Sequence, residues 1–295
     1  MLEQDIQAQC AHHSMSLPQP KPFVKWVGGK RQLLAELWAR LPDQFGAYYE
    51  PFVGGGALFW RLQHQRAQQS QLKACINDFN QELINTYKIV RDYPSELINC
   101  LAEFRNDEDF YYQVRAWDRC ISFSQRSAVQ RAARFIYLNK TGFNGLYRVN
   151  KNNQHNVPFG YYKAPNITDT ENIFACAKAL QNARISWGDF AEISPLLQPG
   201  DLVYLDPPYI PLSASSNFTG YTQSGFDLQM QYRLRDFCRK LNARGVYFMQ
   251  SNSSAELVFQ LYKEFNICQV QATRAINANG RGRGPVTELI IRNYT

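Results

Sequence analysis

Apolar residues at Leu33, Leu34, Leu37, Trp38 and Leu41 recur at helical spacing behind the paired glycines Gly28 and Gly29, and they predict the first helix. Tyr48 to Val53 reads as a strand running into Gly54, Gly55 and Gly56, after which Ala57, Leu58, Phe59 and Trp60 open a second helix. Ala74 to Ile76 forms another apolar run and ends at Asn77 and Asp78, Arg184 to Trp187 reads as a strand end, and Leu202 to Leu205 reads as a buried parallel strand. Pro207 and Pro208 close that run, because proline has no N–H to give to a ladder. Later, Asp227 starts a helix carrying Leu234, Phe237, Cys238 and Leu241, which Gly245 ends, and Val246 to Met249 forms a further strand. Ser253 and Glu256 are spaced as a capping box for a helix with Leu257, Val258 and Leu261, while Ile267 to Ala272 and Glu288 to Asn293 read as the last two strands. Strands alternating with helices indicate an α/β fold.

The pattern changes between residues 81 and 168. Leu83, Ile84, Tyr87 and Val90 mark a helix after Asn80, and Ala128 to Leu138 forms another that carries Arg131 and Arg134 among its apolar positions. The stretch Asn139 to Gly145, the run Leu146 to Val149, a turn at Asn150 to Asn153 and the run His155 to Phe159 then read as a β-hairpin with a glycine-bearing entry loop. Lys140, Phe143, Tyr147, Arg148, Lys151, Phe159, Tyr161, Tyr162 and Lys163 interleave basic and aromatic character there, as suits a ribbon entering a nucleic-acid groove. A solvated hairpin is the plainer alternative.

Composition narrows the classes. At 295 residues with 45% hydrophobic content, the chain can bury a full core. Its net charge of +7 and isoelectric point near 9.0 lean towards a polyanionic partner. Seven cysteines without a CxxC pair, and four histidines without ligand spacing, argue for a reducing compartment and against a metal centre. With no long apolar run and no signal-peptide region, a soluble cytoplasmic protein is expected. Residues 1–20 are polar and glutamine-rich, so a poorly ordered tail is expected.

The residues with the most specific chemistry are Asp206, Pro207, Pro208 and Tyr209 at a strand's carboxyl end, the edge where open α/β sheets bind ligands. A carboxylate beside a proline carbonyl offers two acceptors to an amine with two hydrogens, and holding both aims the nitrogen lone pair. Tyr209 can stack on the ring that bears the amine. Asp78 stands about 20 residues behind the glycine turn, where nucleotide-binding units place a carboxylate on the ribose hydroxyls. Phe59 takes the place of the last glycine of GxGxxG, which disfavours a dinucleotide and fits an adenosyl ligand lacking a pyrophosphate. Lys30 followed by Arg31 excludes a phosphate loop. A long polar loop, Ser213 to Gly225, is expected to close over the site. Arg274, Arg281 and Arg283 suit phosphate contacts.

Taken in order, FVKWVGGK, YYEPFVGGGALF, INDFN, YLNKTGFNGLYRVN, HNVPFGYY and YLDPPYIPLSASSNFTGY resemble the DNA adenine-N6 methyltransferases of the Dam type, the GATC-specific alpha group with a DPPY motif. The resemblance runs from about Pro22 to the end of the chain. It implies a Rossmann-like S-adenosylmethionine-dependent methyltransferase sheet of seven strands with a reversed last hairpin, over residues 21–80 and 169–295. Residues 81–168 would be an inserted, mostly helical target DNA recognition domain carrying the β-hairpin. S-adenosylmethionine is the implied methyl donor, double-stranded DNA the partner, and no metal is required; a monomer is expected.

By the same resemblance, Trp26, Lys30, Asp78 and Asp206 fall on donor-binding positions, with Phe52, Gly54 and Gly56 in the adjoining motif. Asp189 and Phe190 resemble the place where the donor's adenine is held, with Phe190 as a stacking face. Asp206, Pro207 and Tyr209 would be catalytic. Lys25 and Arg148 match guanine-reading positions, Leu146 and Pro158 match contacts to thymine methyls, and Asn144 supports DNA distortion near the flipped base. Phe143 takes the place of an intercalating tyrosine, and Tyr161 that of an arginine thought to touch phosphate. Three other readings stay open: an amino-methyltransferase for RNA or a protein glutamine, a non-catalytic DNA-binding module, and an NAD dehydrogenase.

Overall fold

A computed structural model describes residues 17–26, 28–66, 72–211, 226–273 and 285–295. Its centre is a seven-stranded sheet in the order β3-β2-β1-β4-β5-β7-β6, built from β1 (Tyr48–Glu50), β2 (Ala74–Asp78), β3 (Ala183–Trp187), β4 (Leu202–Leu205), β5 (Tyr247–Ser253), β6 (Asn266–Thr273) and β7 (Pro285–Arg292). The first five are parallel, and β7 runs antiparallel between β5 and β6. This is the mixed α/β fold with a reversed last hairpin that the chain's motifs imply. Strand order reverses between β1 and β4, so the crevice for a ligand opens at their carboxyl ends.

Successive strand residues divide between two cores. Tyr48, Ile76, Leu202, Tyr204, Met249 and Ile290 point to one face. Their neighbours Tyr49, Cys75, Val203, Leu205, Phe248, Leu289 and Ile291 point to the other, the period-2 alternation of a sheet covered on both sides. Helices α1 (Leu34–Trp38), α2 (Ala57–Arg66), α3 (Gln81–Asp92) and α7 (Thr170–Leu180) contribute to the first core. Helices α8 (Leu228–Ala243) and α9 (Glu256–Leu261) contribute to the second. Asn80 and Asp227 cap their helices as the sequence indicates, accepting from Leu83 N at 3.0 Å and Met230 N at 2.9 Å.

Between α3 and α7 the chain forms α4 (Pro94–Ala102), α5 (Glu108–Arg115) and α6 (Ala128–Thr141). Helix α3 touches β2 and β3 as well as α6, so a single apolar core runs from the sheet into these helices. Behind α6, the return from Gly142 to Phe159 is joined by two isolated antiparallel bridges, Gly142 to Phe159 and Val149 to His155. The expected hairpin is thus a turn without a continuous ladder. Its turn is closed instead by Asn150 Oδ1, which accepts from Asn152 N at 2.9 Å and Gln154 N at 3.0 Å.

Three further expectations are corrected. The first helix stops at Trp38, well short of Leu41, because the residue before Pro42 is biased away from helix. Strand β1 ends at Glu50, since Pro51 cannot donate. Ser253 is the last residue of β5 and caps nothing; Ala255 is the N-cap of α9 and makes no side-chain cap bond. The loop Ser213 to Gly225, the arginines 274, 281 and 283, and most of the tail lie outside the described residues. Among the described residues no helix is long and apolar enough to cross a membrane, and no cluster of His, Cys, Asp or Glu could hold a metal.

The helices behind the bridged return enclose one ion-pair cluster. Asp118 pairs with Arg134 at 2.7 Å and Arg119 at 2.8 Å, and the Arg134 and Asp118 side chains are 7% and 9% exposed. Removing one partner of such a buried pair strands the other charge. Asp118→Ala is therefore expected to cost about 3–5 kcal/mol in urea unfolding, and a loss under about 1 kcal/mol would contradict the cluster's structural role.

Candidate functional site

Elements from six places in the chain converge on the crevice between β1 and β4. The turn after β4 presents Asp206, buried Pro207, exposed Pro208 and half-buried Tyr209. Strand β5 holds the exit of this turn, because Ser253 Oγ donates to Ile210 O at 2.5 Å. From the segment before α1, the buried Lys30 ammonium reaches Asp206 Oδ1 at 2.7 Å and donates to Gly28 O at 2.6 Å. It also stands 4.7 Å from the centre of the Tyr209 ring, a cation–π distance. Tyr209 in turn donates its hydroxyl to Glu288 Oε2 on β7 at 2.6 Å.

Strand β1 contributes Glu50 and the glycine turn. Glu50 is 2% exposed, accepts from the Tyr48 hydroxyl at 2.7 Å, and sits beneath the start of α2. Burial pushes its carboxyl up to about 8, opposed by the Tyr48 hydrogen bond and reinforced by the charge of Asp206. Burial likewise raises Asp206, against the opposing pull of Lys30, with Glu288 adding to the rise. At the end of β2, Asp78 accepts from Gly54 N at 3.0 Å and Asn80 N at 2.9 Å, and burial raises it despite these bonds. Among the described residues, carboxyls thus outnumber cations around the crevice. Such a site favours a cationic ligand, whose charge offsets the cost of ionising buried carboxyls.

Gly54 has φ +46°, and a Cβ there would lie 2.5 Å from the Trp26 ring. Trp26 therefore packs directly on the glycine turn, and its other neighbours are Tyr147 at 5.7 Å and Phe135 at 6.3 Å, both stacked. A Cβ on Gly56 would meet the Tyr87 hydroxyl at 2.8 Å. Phe52 stacks on Phe190 with centroids 5.4 Å apart. Phe190 is only 3% exposed, enclosed by Phe52, Phe226 and Phe237 and covered by the Arg233 guanidinium. It packs as a core residue, with its ring faces covered by these neighbours. Asp189 starts the turn that holds it, accepts from Ala191 N at 2.9 Å and pairs with Arg233 at 2.6 Å.

The other predicted residues gather on the bridged return. Lys25, Phe143, Asn144, Arg148 and Pro158 are exposed and Leu146 is half-buried. Phe143 N donates to Pro158 O at 2.9 Å, bringing these two together. Buried Asn139 accepts from Lys25 N at 2.7 Å and donates to Lys25 O and Gly145 O at 2.8 Å each, so one amide holds the amino-terminal segment against the return. Gly145 has φ +63°, and a Cβ there would strike the Lys25 side chain. Tyr161 also has positive φ and donates its hydroxyl to Glu108 Oε1 at 2.6 Å.

Sequence reasoning passed over Glu50, Phe79, Asn139 and Glu288 as site residues. Phe79 follows Asp78, is 77% exposed, and accepts from Trp187 Nε1 at 3.0 Å. A large apolar ring so exposed at a ligand edge is a signal legible in INDFN once Asp78 is placed. Glu288 carries no local signal at all, because only the reversal of β7 brings it to Tyr209.

Comparison with known proteins adds an independent line. The model of the family described as "D12 class N6 adenine-specific DNA methyltransferase" matches residues 26–276. A relative named Type II methyltransferase M1.LlaDCHI, from Lactococcus lactis subsp. cremoris, is 47% identical over 93% of this chain and 95% of its own. Type II methyltransferase M.MjaIII of Methanocaldococcus jannaschii is 41% identical over 93% of this chain and 99% of its own. A DNA adenine methylase of Vibrio cholerae serotype O1 is 34% identical over 93% of this chain and 96% of its own.

The folded chain holds the Glu50 proton more tightly than the unfolded chain does. Stability of the ligand-free protein is therefore expected to fall as pH rises from about 4.5 towards about 8, and Glu50→Gln should remove part of that slope. Urea melts across this range test it; an identical slope in the variant would contradict the burial of an ionisable Glu50.

Proposed function

The chain belongs to the D12 class of N6 adenine-specific DNA methyltransferases, which are S-adenosylmethionine-dependent enzymes, and on that premise we propose that it methylates N6 of adenine in GATC within double-stranded DNA, as a monomer, after swinging the adenine out of the stack. The observation that carries this reading is the turn of Asp206 to Tyr209 at the carboxyl end of β4, set in a crevice where carboxyls outnumber cations among the described residues. Adenine N6 is a weak nucleophile because its lone pair is shared with the ring. Asp206 and the Pro207 carbonyl hold its two hydrogens and aim the lone pair, while Tyr209, fixed by Glu288, stacks on the base.

The residues around the crevice fit the donor. Its sulfonium and ammonium groups are cationic, which is what Glu50, Asp78 and Asp206 call for, and Gly54 and Gly56 let the turn beside them pack closely on Trp26 and Tyr87. Trp26, Lys30, Phe52, Gly54, Gly56, Asp78, Asp189 and Asp206 would hold it, with exposed Phe79 replacing buried Phe190 as the ring available to its adenine. When bound, S-adenosylmethionine supplies an activated methyl group that N6 takes directly, so neither a metal nor a covalent enzyme intermediate is needed. The Lys30 ammonium opposes the rise that burial imposes on Asp206 and so favours the ionised form that accepts hydrogen bonds.

The recognition domain is proposed over residues 81–168, with its reading face supported by the exposed cluster on the return. Arg148 and Lys25 present donors suited to guanine O6 and N7, Leu146 and Pro158 suit thymine methyls, Phe143 supplies a ring to fill the gap left by the adenine, and Asn144 supports the distortion.

Transfer of labelled methyl groups to matched duplexes with and without GATC tests the proposal. Incorporation on adenine N6 confined to GATC is expected, and Asp206→Ala should abolish transfer while leaving GATC binding largely intact. Incorporation at a different sequence would overturn the specificity, and transfer to RNA or protein alone would overturn the substrate.

A further inference from the structure

The Arg148 guanidinium is already half engaged. Its Nε donates to Asn156 Oδ1 at 2.7 Å and its Nη2 donates to Asn156 O at 3.1 Å, so one residue takes the whole side edge of the fork. The end edge, formed by Nη1 and the outer hydrogen of Nη2, has no hydrogen-bond partner among the described residues. Two parallel N–H groups on that edge are the pattern that meets guanine O6 and N7. Without Asn156, an exposed arginine would sample many rotamers, and either edge could face the base.

Asn156 can orient Arg148 because its own backbone is fixed on both sides. Its N–H donates to Arg148 O at 3.0 Å. On one flank, His155 N donates to Asp118 Oδ2 at 2.7 Å, and Arg119 donates to His155 O at 2.8 Å. On the other, Val157 O accepts from the Tyr111 hydroxyl at 2.9 Å and from Arg115 at 3.0 Å. His155 and Val157 are buried, at 3% and 0% exposure. The anchors come from α5 and the segment behind it, and Arg134 on α6 holds Asp118 from the far side. Burial and four surrounding arginines push the His155 imidazole down to about 3, so it stays neutral and this support does not change through the physiological pH range.

We infer that Asn156 is a positioning residue for sequence discrimination: by holding the side edge of Arg148 it presents the end edge to a guanine. This rests on the reading of Arg148 as a base-contacting residue. Beyond its backbone carbonyl, which any residue at 156 would offer, the role requires only an acceptor at the tip of the side chain.

Methylation rates on GATC and on duplexes with each base pair singly changed measure discrimination for the wild type, Arg148→Ala, Asn156→Ala, Asn156→Asp and the double alanine variant. Arg148→Ala is expected to lower discrimination at one base pair by about tenfold or more, the scale of one bidentate contact. Asn156→Ala should lower it at the same base pair by about threefold or more, and add little when Arg148 is already absent. Asn156→Asp retains the acceptor, so discrimination should return even though the added charge weakens binding to every duplex. Thermal melts and donor affinity should match the wild type in all variants that are compared. If Arg148→Ala leaves discrimination unchanged, the base-reading role of Arg148 fails. If Arg148→Ala relaxes it but Asn156→Ala weakens all duplexes equally, or Asn156→Asp does not restore it, the positioning role of Asn156 is overturned while that of Arg148 stands.

Discussion

A single buried ammonium, that of Lys30, ties the crevice together. An amino group taken out of water is costly unless paired, and Lys30 is satisfied three ways, by Asp206, by Gly28 O and by the face of Tyr209. Those contacts join the segment before α1 to the turn after β4. Among the described residues, the other carboxyls there are met without a cation: Asp78 by backbone N–H groups, and Glu50 and Glu288 by tyrosine hydroxyls. The described part of the site thus carries more acidic than basic groups, which suits the cationic sulfonium of the donor.

Trp26 carries the second constraint. Its ring lies against Gly54 of the donor-side turn and stacks with Tyr147, the residue between Leu146 and Arg148. Asn139 adds a hydrogen-bonded link, holding the backbone of Lys25 to that of Gly145. The residues proposed to read DNA and those proposed to hold the donor are thereby packed on opposite sides of one short segment.

Most of the sheet was legible because its strands are short apolar runs with unambiguous ends. Leu202 to Leu205 followed by two prolines has one reading, whereas the run from Tyr48 reads on through Pro51 to Val53 although the strand stops at Glu50. The spacing of Asp78 behind the glycine turn was also accessible, and the fold brings its carboxylate to Gly54 N. Residues whose role depends on topology were not. Glu288 reaches Tyr209 because β7 is inserted backwards between β5 and β6, which no local pattern announces. Ser253 fitted a capping box by spacing, yet β5 runs on past Met249 and the hydroxyl serves Ile210 instead. Phe190 looked like a ligand platform beside Asp189, but three aromatic neighbours and Arg233 enclose it.

The most direct test of the cation-poor crevice is a calorimetric titration of S-adenosylmethionine into the wild type and into Glu50→Gln near neutral pH, each in two buffers of different ionisation enthalpy. With its carboxyl pushed up to about 8, Glu50 is mostly protonated under these conditions, and a cation bound nearby favours the ionised form. The wild type is expected to release more protons on binding than the variant. Equal proton release in the two proteins, with donor binding retained in both, would contradict a site built around a deficit of positive charge.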